Sequence, residues 1–252
     1  MNWLNFKRWG VCLGLLLISF VPAEAAMSFP NINIGMQTAN TPQDFTNGLQ
    51  ILIWLTILTL APSILIMTTS FVRLVVVLSL TRQALGAGTL PPNQVITSLA
   101  LILTFFIMAP TFNEINEKAL QPYMNNQITQ QVALDRGIVP VRNFMFKQTH
   151  EKELALFVRM AKIEKPKNKD DVPTYVLLPS FILSELKTAF TIGFVVSLPF
   201  LVIDIVVSSV LVSMGMMFLP PTMIALPFKL IMFVMVDGWY LVVKSLVESF
   251  VR

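Results

Sequence analysis

Long apolar runs and one polar block organise the chain. Residues 49–80 are largely apolar and are broken by Pro62 and Arg73. As a single helix this run is about 48 Å long at 1.5 Å per residue. A bilayer core is about 30 Å thick, so the run must tilt, kink or leave the lipid. Residues 81–93 hold Gly86, Gly88, Pro91 and Pro92 and predict a turn. Residues 95–112 then predict a second apolar helix, folded back on the first as an αα-hairpin. Residues 176–219 are apolar over about 66 Å if helical throughout. That length predicts either a hairpin or one long bent helix, with Pro199 as the expected bend. Pro220-Pro221 ends the run, residues 222–243 form a last apolar segment with Pro227 near its start, and residues 244–252 are amphipathic. No internal repeat is evident, which argues against an inverted-repeat transporter.

Residues 113–175 differ from all of this, because more than half of the charged residues fall there. Pro140 fits the first position of a helix. Thr149 fits the cap of another, with Glu151 and Glu153 in its first turn beside the positive helix end. The stretch KIEKPKNKDD, residues 162–171, reads as a solvated loop. The block predicts a small helical domain outside the membrane. Its lone histidine, His150, has none of the neighbours that a metal site requires.

The N-terminus has the pattern of a signal peptide. Lys7 and Arg8 precede an apolar stretch at 11–21, and Ala23-Glu24-Ala25 supplies small residues for cleavage. The apolar stretch is too short to span a bilayer. The one cysteine, Cys12, lies inside it, so the remainder offers no disulfide, thiolate metal site or cysteine nucleophile. The expected division is a signal peptide at 1–25 and an exported segment at 26–48. A first hydrophobic hairpin follows at 49–112, then an extracytoplasmic helical domain at 113–175. A second hydrophobic hairpin with a Met-rich loop and C-terminal tail completes the chain at 176–252.

Composition agrees with a membrane protein. The 252 residues are 55% hydrophobic and 13% charged, and the mean hydropathy is +0.71. A soluble domain carries about a quarter charged residues. The net charge of +4 is not gathered into a basic stripe interleaved with aromatics, which sets nucleic-acid binding aside. Arg73 and Arg82, with no acid nearby, mark the inner end of the first hairpin under the positive-inside rule. The polar domain and the C-terminus then face outward.

Five charges interrupt the apolar region between Pro179 and Trp239: Glu185, Lys187, Asp204, Lys229 and Asp237. A charge in hydrocarbon costs several kcal/mol unless it is paired or wetted, roughly, so this region is expected to face protein or a water-filled path. Asp204 and Asp237 are a formal match to an intramembrane aspartyl protease, which uses two carboxylates sharing a proton. Pairing of the aspartates with Lys229 or Lys187 explains them more simply. No activating histidine and no phosphate-binding glycine loop lies near the apolar runs. The expectation is a non-enzyme without cofactor or metal; a small-solute channel is the other alternative. Among the charges sits the loop Met214-Gly215-Met216-Met217-Phe218. Soft apolar side chains on a loop suit a hydrophobic constriction.

The motifs SFVRLVVVLSLTRQALG (70–86), PPNQV (91–95), LTFFIMAP (103–110), LPSFILSELKTAFTIGF (178–194), PFLVIDIVVSSVLVSMGM (199–216) and LPFKLIMFVMVDGW (226–239) together resemble the FliP family, the export-gate family of flagellar type III secretion. The resemblance covers nearly the whole chain. It implies an all-α membrane-associated protein in the inner membrane, at the flagellar basal body. It implies a pentameric ring with FliQ and FliR, working with FlhB and FlhA and assembled with help from FliO. Unfolded flagellar subunits pass through the ring, and the helices stand largely above the ordinary membrane plane. The resemblance also assigns residues. Met214, Met216 and Met217 form a gasket, and Phe218 stands where some relatives have another methionine. Asp204 and Lys229 form an inter-subunit ion pair, and Glu185, Phe144 and Phe157 make subunit contacts.

Overall fold

The computed structural model describes residues 42–251 except 89, 164, 165, 167 and 217. The expected signal peptide and most of the exported segment lie outside the described residues, as does Met217. By contacts the chain forms two units, 1–53 and 54–252.

All regular structure among the described residues is helical. The helices are α1 (Pro42–Met67), α2 (Phe71–Leu85), α3 (Asn93–Ile115), a π-helical turn (Asn116–Leu120), α4 (Gln121–Met124), α5 (Gln130–Gln148), α6 (Glu151–Met160), a 3₁₀ turn (Lys169–Asp171), α7 (Thr174–Ser213), α8 (Pro221–Met235) and α9 (Gly238–Val251). Among the described residues, three stretches are long and apolar enough to cross a membrane: Leu49–Met67, Asn93–Met124 and Thr174–Ser213. α8 and α9 add a fourth if their 63° bend is counted within one span.

The first apolar run is two helices, and its break differs from the positions expected. Pro62 lies inside α1 and Arg73 inside α2, while the chain turns at residues 68–70. There the Thr68 hydroxyl lies 3.0 Å from the Ile64 carbonyl and the Thr69 hydroxyl donates to the Ile66 carbonyl. These hydroxyls satisfy carbonyls at the end of α1. α2 then pairs with α3 as a hairpin, and Gly86 closes α2 in the left-handed region at φ 71°.

The second long run is resolved as one helix. α7 has 40 residues and contains Pro179 and Pro199; its length is about 60 Å. Its hydroxyls bond internally, as Ser180 to the Val176 carbonyl and Ser197 to the Gly193 carbonyl, both at 2.7 Å. An apolar helix tolerates serines on those terms. α7 is the spine of the fold and packs on α2, α5, α6 and α8. It approaches α2 closely at Gly193, against Leu80.

Two apolar clusters form the interior among the described residues. The larger joins Leu74, Val77 and Leu78 of α2 with Ala100, Ala189, Phe200, Phe233 and Leu246. The smaller joins Met145 of α5 with Val172, Val176, Leu177 and Phe181. The outer surface of α7 stays apolar and exposed at Phe190, Phe194, Val202, Ile205 and Val212, a surface that requires lipid or protein cover.

The polar block departs from its sequence reading in detail. α3 and its continuation run on to Met124, so the block's first residues extend the apolar hairpin. Pro140 sits inside α5, not at its start. Thr149 does not cap α6; its hydroxyl donates to the Met145 carbonyl at 2.7 Å. His150 takes the cap position, and its amide donates to the Ser184 hydroxyl of α7 at 3.1 Å.

Candidate functional site

The Met-rich loop is framed by its two flanking helices. α7 ends in a Schellman arrangement: the Met216 amide reaches the Leu211 carbonyl at 2.9 Å, and the Gly215 amide reaches the Val212 carbonyl at 3.0 Å. Gly215 has φ 75°. Pro220 and Pro221 then open α8, where a missing amide and a fixed φ suit a helix start. Between these stops the described side chains are exposed. Met214 is 63% exposed, Met216 44% and Phe218 fully exposed. Nothing would contact an added Cβ at Gly215, so its requirement is conformational. Gly215→Ala is expected to cost about 1 kcal/mol by straining the left-handed residue. Hydrogen exchange should quicken at 211–216 and nowhere else.

Behind the loop, α7 and α8 are tied by charge. Lys229 Nζ donates to Asp204 Oδ2 at 2.6 Å and to the Ala84 carbonyl at 3.2 Å. Ala84 lies in the last turn of α2, where the helix dipole favours a cation. About 15 Å of helix separates Asp204 from Met214, and about 12 Å separates Lys229 from Pro221. The ammonium is buried at 6% exposure and the carboxylate is at 29%. Asp204 Oδ1 is buried and has no hydrogen-bond partner among the described residues. Within one chain the two residues meet because α8 packs back on α7; the pair between neighbouring copies that the resemblance implies is an expectation for the assembled ring.

The other apolar-region charges separate from this site. Asp237 has φ 55° and forms the elbow between α8 and α9. No hydrogen bond joins it to Asp204 among the described residues. Lys187, half exposed, donates to Glu153 of α6 at 2.7 Å, so its partner is a glutamate of the polar block rather than Asp204 or Asp237. His150 Nε2 lies 3.1 Å from the Thr188 hydroxyl, so α6 is fastened to α7 at several points. The hydrogen bond from Lys187 holds the Glu153 carboxyl below the usual carboxylate range. A depressed carboxyl stabilises the fold above its unfolded pKa and loses that contribution as pH falls through its folded one. The α6–α7 junction should therefore loosen in acid below the ordinary carboxylate range. Lys187→Met should remove that pH dependence, read by limited proteolysis at 162–171.

Glu185 meets Arg73 in the interior. Arg73 Nε donates to Glu185 Oε2 at 2.9 Å, and Nη2 donates to Glu185 Oε1. Nη2 also donates to Gln148 Oε1 at 3.0 Å. Arg73 is 2% exposed and Glu185 0%.

The family model of the FliP family matches residues 54–246. The chain belongs to the FliP family. A FliP-family relative from Bacillus subtilis, named flagellar biosynthetic protein FliP, is 52% identical over 86% of this chain and 98% of its own. Relatives of the same name from Pectobacterium carotovorum and Caulobacter vibrioides are 49% and 50% identical, over 98% and 95% of this chain and 94% and 89% of theirs.

The residues singled out through the FliP resemblance fall into two places. Met214, Met216, Phe218 and the Asp204–Lys229 pair share the hairpin of α7 and α8. Phe144, Phe157 and Glu185 lie at the other end of α7. Phe144 sits edge-on to Phe181, with centroids 6.0 Å apart, and stacks on Phe250 at 6.3 Å. Phe144 also lines an open cavity of about 470 Å³ between α3, α5 and α9. Phe157 packs against the smaller apolar cluster. Sequence reasoning missed the roles of Arg73 and Gln148. The available signal was a lone arginine in one apolar run and a lone glutamate in another, which burial forces together.

Proposed function

We propose that the chain is a core subunit of the flagellar type III protein export gate, and that several copies enclose the pore through which unfolded flagellar subunits leave the cell. The observation that carries this reading is the Met-rich loop: exposed apolar side chains on a framed turn at the tip of a helical hairpin, in a member of a family whose relatives are named flagellar biosynthetic proteins. A ring of such loops makes a soft apolar seal, which excludes water and ions at rest and yields around a passing polypeptide. The exposed apolar surface of α7 supports burial against neighbouring copies or lipid. The spare buried oxygen of Asp204 supports a second donor arriving from a neighbour, and the cavity beside Phe144 supports entry of a neighbour's side chain. FliQ, FliR, FlhA and FlhB are the proposed working partners, with FliO as assembly factor. Residues 113–175 are proposed to face the periplasm.

The test is co-expression with the neighbouring export proteins, followed by purification in detergent. A ring of several copies that retains FliQ and FliR, with a mass fitting about five copies by the resemblance above, supports the reading. A monomer that binds none of them contradicts it. The aspartyl protease alternative gains no support from a carboxylate already bonded to Lys229.

A further inference from the structure

The last turn of α9 ends on a buried arginine. Arg73 Nη1 lies 3.2 Å from the carbonyl oxygen of Ser249 and 3.0 Å from its hydroxyl, donating to both. The guanidinium lies 3.8 Å from the centre of the Phe250 ring. Gln148 Nε2 donates to the Phe250 carbonyl at 3.3 Å. The final carbonyls of a helix have no donors of their own, and a cation at that end is favoured by the helix dipole. Glu185 occupies the other edge of the guanidinium, in a two-point pair. Arg73 is therefore held in one orientation by α5 and α7 and presents its remaining edge to α9.

We infer that Arg73 is the socket of a latch for the C-terminal helix, that Glu185 is a positioning residue acting through it, and that Gln148 both positions Arg73 and supplies the latch's second donor. The contacts that define the latch are the two last-turn carbonyls and the Ser249 hydroxyl. α9 is fixed at its far end by this socket and at its near end by the elbow at Asp237, where Gly238 lies directly against the Phe233 ring. Between those points it sets the path of α8, the arm that carries Lys229 and returns from the Met-rich loop. Glu185 accordingly affects assembly from inside one copy. The latch stands on this geometry and does not depend on the loop sealing a pore.

A buried ion pair that only fills space can be replaced by apolar side chains of similar volume without loss. A latch cannot, because the Ser249 carbonyl of α9 would lose its donor and Gln148 would lose the guanidinium that holds it. The test is hydrogen exchange, read by mass spectrometry, on the full chain purified within its detergent complex. Arg73→Met with Glu185→Leu should speed exchange at 240–248 by about tenfold and leave α3 unchanged. A chain ending at Glu248 should show the same rise, and combining it with the double replacement should add nothing further. Unchanged protection of α9, an equal loss in α3, or additive effects would each overturn the latch. Gln148→Leu with Ser249→Ala removes the bond to the Phe250 carbonyl and the Ser249 hydroxyl while keeping the Arg73–Glu185 pair and the bond from Arg73 to the Ser249 carbonyl. If the first variant fails to assemble, this second one must still raise exchange at 240–248 above the wild-type level, and normal protection there rejects the inference.

Discussion

Lys229→Ala is expected to abolish flagellar export and sharply lower the amount of folded protein. The ammonium is 6% exposed and bonds both Asp204 and the end of α2. Its removal leaves a carboxylate facing low-dielectric protein with no cation, and leaves the Ala84 carbonyl without a donor. Truncating one partner of a buried pair costs about 3–5 kcal/mol, against a typical total stability of about 5–15 kcal/mol. Adding Asp204→Asn removes the stranded charge, so the double variant should recover part of the lost protein and export. Subunit secretion into the medium and immunoblot levels would show it. A catalytic pair of Asp204 and Asp237 requires the opposite, since loss of Asp204 alone would end activity beyond rescue.

The second large effect is expected where α2 and α7 touch. A methyl group at Gly193 would sit 3.0 Å from Leu80 Cβ and nearer still to its far end. The far end can rotate away, but the Cβ moves only with the helix. Gly193→Ala is expected to cost about 1–3 kcal/mol by overpacking, and Gly193→Val more. Leu80→Ala in the same chain should restore much of the loss, because it clears the contact. Thermal unfolding of the detergent-solubilised protein measures both. Additive losses would show that the two residues do not meet.

Periodicity and run length carried the all-helical class, the turn between α2 and α3, and the end of the long helix at the Met-rich loop. Breaks were harder to read. Pro62 suggests a break and Pro140 a helix start, yet both lie inside helices. A proline removes one amide donor, and a long, well-packed or lipid-covered helix absorbs that loss. The actual stops use other chemistry: the Thr68 and Thr69 hydroxyls, Gly86 and Gly215 in the left-handed region, and Asp237 with φ 55°. The candidate site was legible in its parts, because charges and methionines stand out against an apolar background. Pairing was less so. Arg73 and Glu185 are far apart in sequence, and nothing local in either run reveals the other. His150 is exposed, and its place is set by Ser184 and Thr188, which only the packing of α6 on α7 brings near.

The proposed seal is tested most directly by ion conductance across a planar bilayer holding the purified, assembled gate, compared with the Met216→Ala, Met217→Ala variant. The wild-type assembly should conduct almost nothing at rest. The variant should leak at least about tenfold more, because alanines leave a wetted gap where flexible thioethers closed it. An alanine variant that stays as tight as wild type and secretes flagellar subunits normally would contradict the seal.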